Sequence, residues 1–219
     1  MIAERLKLES DYEVDHRIAN NLAVVSGVLR RKVRALQDGS RPVSGQEAIG
    51  VLAEAAFQVE VVANLHKLLS NKAEERLIDL DQYLRSVCNS AVPALSVLGR
   101  IRPEYRLECG RRVVPEFAVS IGLAIAELIS NAMKHAHPAD GDGEIVVGGR
   151  GDNDQLVIEV ADDGVGLPAG YDPMLDEGLG LQLVRATAAR WGGIAEFDAS
   201  EPGLCVRLVL PADAGQAIR

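Results

Sequence analysis

The sequence is poor in the features that mark several common classes of protein. It has only three cysteines in 219 residues, and they are widely spaced with no CxxC pair: Cys88, Cys109 and Cys205. Neither a disulfide framework nor a zinc site is indicated, and this usage fits a reducing cytoplasm. There is no sustained basic tract, and 23 Lys and Arg against 32 Asp and Glu give a net charge of -9. We therefore do not expect nucleic acid as a partner.

Long apolar runs are also scarce. The first 17 residues, MIAERLKLESDYEVDHR, are charged throughout, and we expect no window to reach the ~18 apolar residues of a membrane span. The GxxxxGK[ST] pattern of a P-loop is absent, and no GxGxxG follows a strand as a Rossmann site requires. We therefore expect a soluble, cytoplasmic protein with no membrane association.

The N-terminal third predicts a helical hairpin. Six apolar residues fall at spacings of four, three, four, four and three, which is one stripe of a helix: Ile18, Leu22, Val25, Leu29, Val33 and Leu36. The turn DGSRP at residues 38–42 ends this helix, and Ser44 with Glu47 forms a capping box that opens a second helix to about Ser70. Because a hairpin cannot bury both stripes alone, we expect a homodimer with a four-helix bundle.

The pattern becomes mixed beyond residues 71–81. Helical segments begin near residues 80, 115 and 179, the second of them with Pro115 at its start and the third ended by Gly192. Between and after them, YRLEC, GEIVVGGR, QLVIEVADDG, IAEFDAS and LCVRLVLP read as strands. This order predicts an α+β fold with a mostly antiparallel sheet. We place a dimerisation domain at residues 1–75 and a second domain at residues 76–219.

The segment ELISNAMKHAH carries the first candidate site. Glu127, Asn131, Lys134 and His135 lie along one helical face at i, i+4, i+7 and i+8. An asparagine amide oxygen suits Mg²⁺, and a lysine one turn further on can meet phosphate. Taken alone, a solvated face of an amphipathic helix explains the same residues at least as well.

The segment VADDGVGLP carries the second candidate site. A strand runs into Asp162, and Gly164 and Gly166 let the following backbone turn or approach a ligand closely. A carboxylate that accepts from an exocyclic amine can recognise a purine. A simple turn is the competing interpretation.

The segment EGLGLQLV carries the third. Gly178 and Gly180 open a helix, where backbone N–H groups and the helix dipole favour an anion such as phosphate. An ordinary junction between a loop and a helix is the alternative.

A fourth feature is the lone histidine in YEVDHRIANNLAVV. A neutral imidazole can serve as a base, as a metal ligand or as a nucleophile that holds a covalent group. His16 lies two residues, or ~200° of helical rotation, from Ile18, so it faces away from the apolar stripe.

In this order, DHRIANNL, ELISNAMKHAH, DDGVGLP and GLGLQLV resemble the sensor histidine kinases of two-component systems. The resemblance is to the bacterial subgroup with an HRxKNN phosphoacceptor segment and a short ATP lid, and it extends from Tyr12 to Pro211. It implies a GHKL-type α/β sandwich that binds ATP, placed after the helical-hairpin dimerisation domain.

The resemblance also implies a role for each candidate residue. His16 would be the phosphoacceptor, with Asp15 to orient it or accept its proton and Asn20 to position a water for dephosphorylation. Asn131 would be the Mg²⁺ ligand, and Asp162 would read the adenine amine. The other positions implied are the acid of the helical motif, the residues near the phosphates, and the glycines that frame the lid: Glu127, Lys134, His135, Gly164, Gly166, Gly178 and Gly180.

The expected function is therefore a protein-histidine kinase that phosphorylates His16 from ATP and passes the phosphoryl group to an aspartate of a response regulator receiver domain. The alternatives are a phosphotransfer or phosphatase protein with a vestigial ATP domain, and an ATP-gated interaction module. Only about ten residues precede Asp11, so the input is expected from a separate regulatory protein or from a region outside this chain.

The sequence departs from the subgroup at two places. Ala19 stands where lysine is usual, and Gly203-Leu204 stands where a Gly-Thr pair is usual. The second change predicts the loss of one minor contact of the ATP site.

Overall fold

The computed structural model describes scattered helical positions between 23 and 37, and then residues 44–70, 77–95, 97, 101–136, 143–175, 178–199 and 203–216. The chain divides into two compact units, Met1–Pro42 and Val43–Arg219. All helices and strands named below lie in the second unit. The predicted functional boundary near residue 75 stays a prediction.

Helix α1, Gly45–Ser70, begins at the predicted capping box. The Ser44 backbone N–H donates to Glu47 Oε2 at 2.8 Å, and the Glu47 N–H donates to Ser44 Oγ at 3.2 Å. Two N–H groups at the start of the helix are thereby satisfied, which fixes where it begins.

Three further helices follow: α2, Leu80–Leu95, α3, Pro115–His135, and α4, Leu179–Arg190. Pro115 occupies the first turn of α3, where its missing N–H costs nothing. Gly192 follows α4 with a φ of 77° and donates its N–H to the Ala189 carbonyl at 3.1 Å. The predicted glycine stop is therefore confirmed, because this left-handed backbone is easiest for glycine.

The strands form two sheets. The short strands β1, Ile78–Asp79, and β3, Arg112–Val113, pair antiparallel. The larger sheet has the order β2-β4-β5-β7-β6, with strands β2, Ile101–Glu108, β4, Gly143–Gly151, β5, Gln155–Asp162, β6, Ile194–Asp198, and β7, Cys205–Pro211. Only the β2–β4 pairing is parallel within this described sheet. Burial alternates along β7, as expected when one face packs against helices. The α+β prediction with a mostly antiparallel sheet is confirmed.

Helix α1 packs within its own chain. It contacts α2 and α3, and it buries Phe57, Val61 and Leu65 almost completely. The sequence predicted that the hairpin cannot bury both stripes alone and pairs with a second copy. The structure covers one side of α1 with α2 and α3 of the same chain, and the dimer stays a prediction.

Two helices are long and apolar enough to cross a membrane by length and composition, Gly45–Leu68 and Pro115–His135. The prediction that no window is long and apolar enough to span a membrane was therefore wrong. The second helix is 83% buried over its most apolar window, and α1 packs on two other helices. The core helix of a folded domain can be equally long and apolar, so these two helices are weak evidence for a membrane span.

Candidate functional site: a nucleotide site beside α3

The C-terminal half of α3 brings the first and third motifs together. Glu127 is 4% exposed, and Asn131 lies one turn further along the same face. A Cβ placed on Gly180, in the first turn of α4, would lie 2.8 Å from Glu127 Oε2 and 3.5 Å from Asn131 Nδ2. A carboxylate, an amide and the start of a glycine-opened helix therefore meet at one point.

The second motif is held by the carboxylate of Asp162. Its Oδ1 accepts hydrogen bonds from the backbone N–H of Gly164 at 3.0 Å and of Leu204 at 3.3 Å. Val165 donates its N–H to the Ala136 carbonyl at 3.0 Å, which ties the loop after β5 to the end of α3. The carboxylate is thus oriented by backbone groups whose positions the fold determines.

Two glycines allow close backbone contacts around the Asp162 carboxylate. At Gly164 an added Cβ would overlap Ala136, and at Gly203 it would overlap the Asp162 carbonyl. Gly203 also has a φ of 83°, a backbone conformation that favours glycine. These close approaches explain why glycine is needed at both positions.

Leu204 departs from the family pattern without breaking the site's frame. Besides donating to the Asp162 side chain, its carbonyl accepts the Asp162 backbone N–H at 3.0 Å. Both contacts use the backbone, which any residue supplies. The contact expected to be lost at this position is therefore limited to a threonine hydroxyl.

Gly178 stands directly before α4 in an exposed position, and no side chain caps the helix there. The Gly178 carbonyl accepts the Gln182 N–H at 3.1 Å. Gly166 has a φ of 68°, and a Cβ on it would lie 3.1 Å from the Gly203 carbonyl oxygen. The two glycine pairs thus serve different purposes: one shapes the loop after β5, and the other opens α4.

Lys134 and His135 end α3 on its exposed side. Desolvation by the surrounding protein lowers the pKa of His135, and the charge of Lys134 lowers it further while Glu54 opposes the shift. His135 is therefore biased toward the neutral imidazole near neutral pH, so the fixed positive charge at this end of the helix is on Lys134.

Helix α1 supplies two contacts that the motifs did not predict. Gln58 Nε2 donates to Glu127 Oε1, and Glu54 pairs with the ammonium of Lys134. Both α1 residues are almost completely buried, at 2% and 3% exposure. A polar pair at i, i+4 inside an otherwise apolar helical segment was the available sequence signal.

The remaining predicted residues, His16, Asp15 and Asn20, lie outside the described residues. Within the part of the chain that the structure describes, no group of three or more His, Cys, Asp or Glu residues could hold a metal ion by itself.

Two family models match this chain. One is described as "Histidine kinase-, DNA gyrase B-, and HSP90-like ATPase" and matches residues 118–214. This defines the class of the region around α3, the loop after β5 and α4 as an ATPase-type nucleotide-binding domain. The second is described as "Histidine kinase" and matches residues 13–95. Residues 13–95 therefore match the histidine kinase family and residues 118–214 the related ATPase family, and the predicted resemblance to the histidine kinases is confirmed.

Curated relatives agree with this assignment. The chain is 31% identical over 202 residues to the sensor histidine kinase PdtaS of Mycobacterium tuberculosis. It is 30% identical over 205 residues to the protein of that name from Mycolicibacterium smegmatis. Each match covers 91% of this chain but only 38% and 39% of the relative. The chain thus spans about two fifths of the length of these relatives.

A solved structure shares the fold. The histidine kinase domain of a blue-light activated histidine kinase from Erythrobacter litoralis matches with a TM-score of 0.69 and 23% identity, over 92% of this chain and 94% of that chain. At this identity the match is evidence for the architecture alone.

Proposed function

We propose that this protein is an ATP-dependent protein-histidine kinase that phosphorylates its own His16 and then transfers the phosphoryl group to an aspartate of a response regulator receiver domain. The observation that carries the nucleotide part is the meeting of Glu127 and Asn131 with Gly180 at the start of α4. The oriented Asp162 carboxylate completes the site. Family membership supports the kinase chemistry.

In the proposed reaction, an imidazole nitrogen of His16 attacks the γ-phosphorus of ATP. A nitrogen–phosphorus bond forms, the bond from that phosphorus to the bridging oxygen breaks, and ADP leaves with the bond's electron pair. Asp15 accepts the imidazole proton or orients the ring, and Asn20 positions a water for later dephosphorylation. Little covalent help is needed from the protein, because this reaction depends on positioning and charge neutralisation.

The described residues divide the binding of ATP between two ends. Asp162 accepts from the adenine amine, and its loop is shaped by Gly164 and Gly166. Lys134 and His135 lie at the phosphate end. The opening of α4 at Gly178 and Gly180 offers backbone N–H groups to the same phosphates.

The donor set fits a magnesium ion. Asn131 offers an amide oxygen and Glu127 a carboxylate on the next turn, and hard oxygen ligands of this kind suit Mg²⁺, which usually completes its shell with substrate phosphates and water. Bound there, Mg²⁺ would supply charge neutralisation for the phosphates of ATP. Asn131 is the ligand we assign.

A homodimer is part of the proposal. Three large apolar residues of α1 stay exposed on one stripe at spacings of three and seven: Ile49, Leu52 and Val59, at 47%, 68% and 47% exposure. Such a stripe suits a helical bundle with a second copy of the hairpin. We further propose that the protein is soluble and cytoplasmic and that a separate protein or region supplies the input.

The activity is tested by incubating the protein with γ-labelled ATP and Mg²⁺ and measuring label bound to protein. Wild type should gain label, and excess EDTA or Asn131→Ala should abolish it, because EDTA removes the metal ion and the substitution removes its proposed ligand. Labelled protein should lose its label to a receiver domain and not to that domain with its acceptor aspartate replaced. Protein that binds ATP but never gains label would contradict the kinase and favour a phosphotransfer role.

A further inference from the structure

The hairpin helix α1 reaches the nucleotide site through two buried polar side chains. Glu54 pairs with Lys134, and one turn later Gln58 donates to Glu127. Advancing along α1 moves the contacts backward along α3, so the two helices run antiparallel here. Both ends of the polar face of α3 are therefore held by α1.

Both α1 side chains that make these contacts are buried. Glu54 is 3% exposed and Gln58 is 2% exposed, and they lie beside the buried apolar residues Phe57 and Val61. Gln58 Oε1 has no hydrogen-bond partner among the described residues, so this amide is held through its contact with Glu127. A buried polar group without a partner is costly, so the contact with Glu127 stabilises Gln58 in this position.

Glu127 is held from two sides. Its Oε1 accepts from Gln58 of α1, and its Oε2 faces Gly180 in the first turn of α4. A displacement of α1 would therefore change the direction of the carboxylate that adjoins Asn131.

Lys134 has a competing partner. Its ammonium pairs with Glu54, yet a lysine at the end of α3 is also the cation available to a phosphate. A phosphate that binds there must share this ammonium with a buried carboxylate or displace it. In either case Glu54 leaves less of the ammonium's charge available to the phosphate, and displacing Glu54 would leave a buried carboxylate without its partner, which is costly.

We propose that Glu54 and Gln58 are positioning residues of the nucleotide site: Glu54 restrains Lys134 and weakens binding of the ATP phosphates, and Gln58 orients Glu127. Helix α1 is thereby part of the site. This inference rests on the proposed nucleotide site and not on phosphorylation of His16.

The test measures affinities for ATP and for adenosine by calorimetry, in the presence of Mg²⁺. Glu54→Gln should tighten ATP binding about fivefold and leave adenosine binding unchanged, because adenosine has no phosphate to pair with Lys134. In a Lys134→Met background the same substitution should increase the ATP affinity by less than about twofold, because the two residues act through one contact. Glu60→Gln, the same charge change at an exposed position of α1, is the matched control and should change neither affinity.

Unchanged or weaker ATP binding by Glu54→Gln would overturn the proposal. An equal change in adenosine affinity would also overturn it, as would a fivefold gain in ATP affinity in the Lys134→Met background. If Glu54→Gln does not fold, Glu54→Asp withdraws the carboxylate by one methylene and should tighten ATP partially, again without effect on adenosine. Wild type that binds neither ligand would refute the nucleotide site itself and this inference with it. Wild type that binds ATP without gaining label would refute the kinase but leave this test decisive.

Discussion

The two ends of the nucleotide site are built in different ways. At the end proposed to bind adenine, Asp162 is held by backbone N–H groups of Gly164 and Leu204, within the sheet and the loops that leave it. At the end proposed to bind the phosphates, Glu127 and Lys134 are held by side chains from α1. The adenine end depends on backbone groups, whereas the phosphate end depends on side chains, which change rotamer on a faster timescale than the backbone rearranges. On the proposed assignment, the adenine end is therefore preorganised, while the geometry of the phosphate end depends on side chains of α1.

The largest effect is expected from disturbing the backbone frame. Gly203→Ala would press a Cβ into the Asp162 carbonyl at a φ of 83°, so it should cost about 3 kcal/mol or more of unfolding free energy and abolish ATP binding. Urea unfolding with calorimetry measures both. Gly170 is the matched control, because its φ is 78° but nothing lies within 4 Å of an added Cβ. Gly170→Ala should cost only about 1–2 kcal/mol and leave ATP binding unchanged. Equal costs at the two positions would contradict the close approach.

A smaller effect is expected from the carboxylate itself. Asp162→Asn should weaken ATP binding by about 1.5–3 kcal/mol, because a charged hydrogen bond to adenine is lost. Adenosine should weaken by the same amount, since the contact is to the base. Asp163→Asn changes the neighbouring acid, whose Oδ1 accepts the Glu144 backbone N–H at 2.8 Å, and it should leave both affinities unchanged. An ATP affinity that Asp162→Asn does not alter would refute the adenine assignment.

At the other end, Gln58→Met removes the donor to Glu127 while keeping the side-chain length. The rate of protein labelling should fall about tenfold, or ~1.4 kcal/mol, with ATP affinity changed less than about twofold, because orientation and not binding is lost. Asn64→Leu is the control, since this buried α1 residue donates to Ser90 Oγ at 2.9 Å and not to the site. It should lower stability without changing the labelling rate of the folded protein. A similar rate loss in both variants would mean that Gln58 acts through stability alone.

The smallest effect concerns pH. Burial lowers the pKa of His66 in α1 from 6.5, and its Nε2 has no hydrogen-bond partner in the described structure. Below pH ~6.5 the unfolded chain therefore binds a proton that the folded chain resists, so stability falls as the pH falls. His66→Gln should flatten the dependence of unfolding free energy on pH between about 7 and 5. An unchanged slope would show that His66 does not contribute to it.

Sequence reasoning succeeded where neighbours along the chain determine the structure. Ser44 and Glu47 are three residues apart, and Gly164 donates to a carboxylate two residues earlier. Such contacts follow from local backbone geometry, so a motif predicts them.

It failed where contacts join distant segments. Gln58 and Glu127 are 69 residues apart, and no spacing rule relates α1 to α3. Strand β7 also inserts between β5 and β6, although β6 precedes it in the chain. Side-chain identity gives no information on which helices meet until the packing of the whole domain is known.

Phosphorylation of His16 is tested by the chemistry and location of the label after incubation with γ-labelled ATP and Mg²⁺. We predict a single acid-labile, base-stable phosphoryl group, because protonation of a phosphoramidate nitrogen makes it a good leaving group. His16→Gln should abolish the label with ATP affinity unchanged, while the chain's other histidines, His66, His135 and His137, should remain unlabelled in wild type. An acid-stable label, or a label that persists in His16→Gln, would contradict phosphorylation of His16.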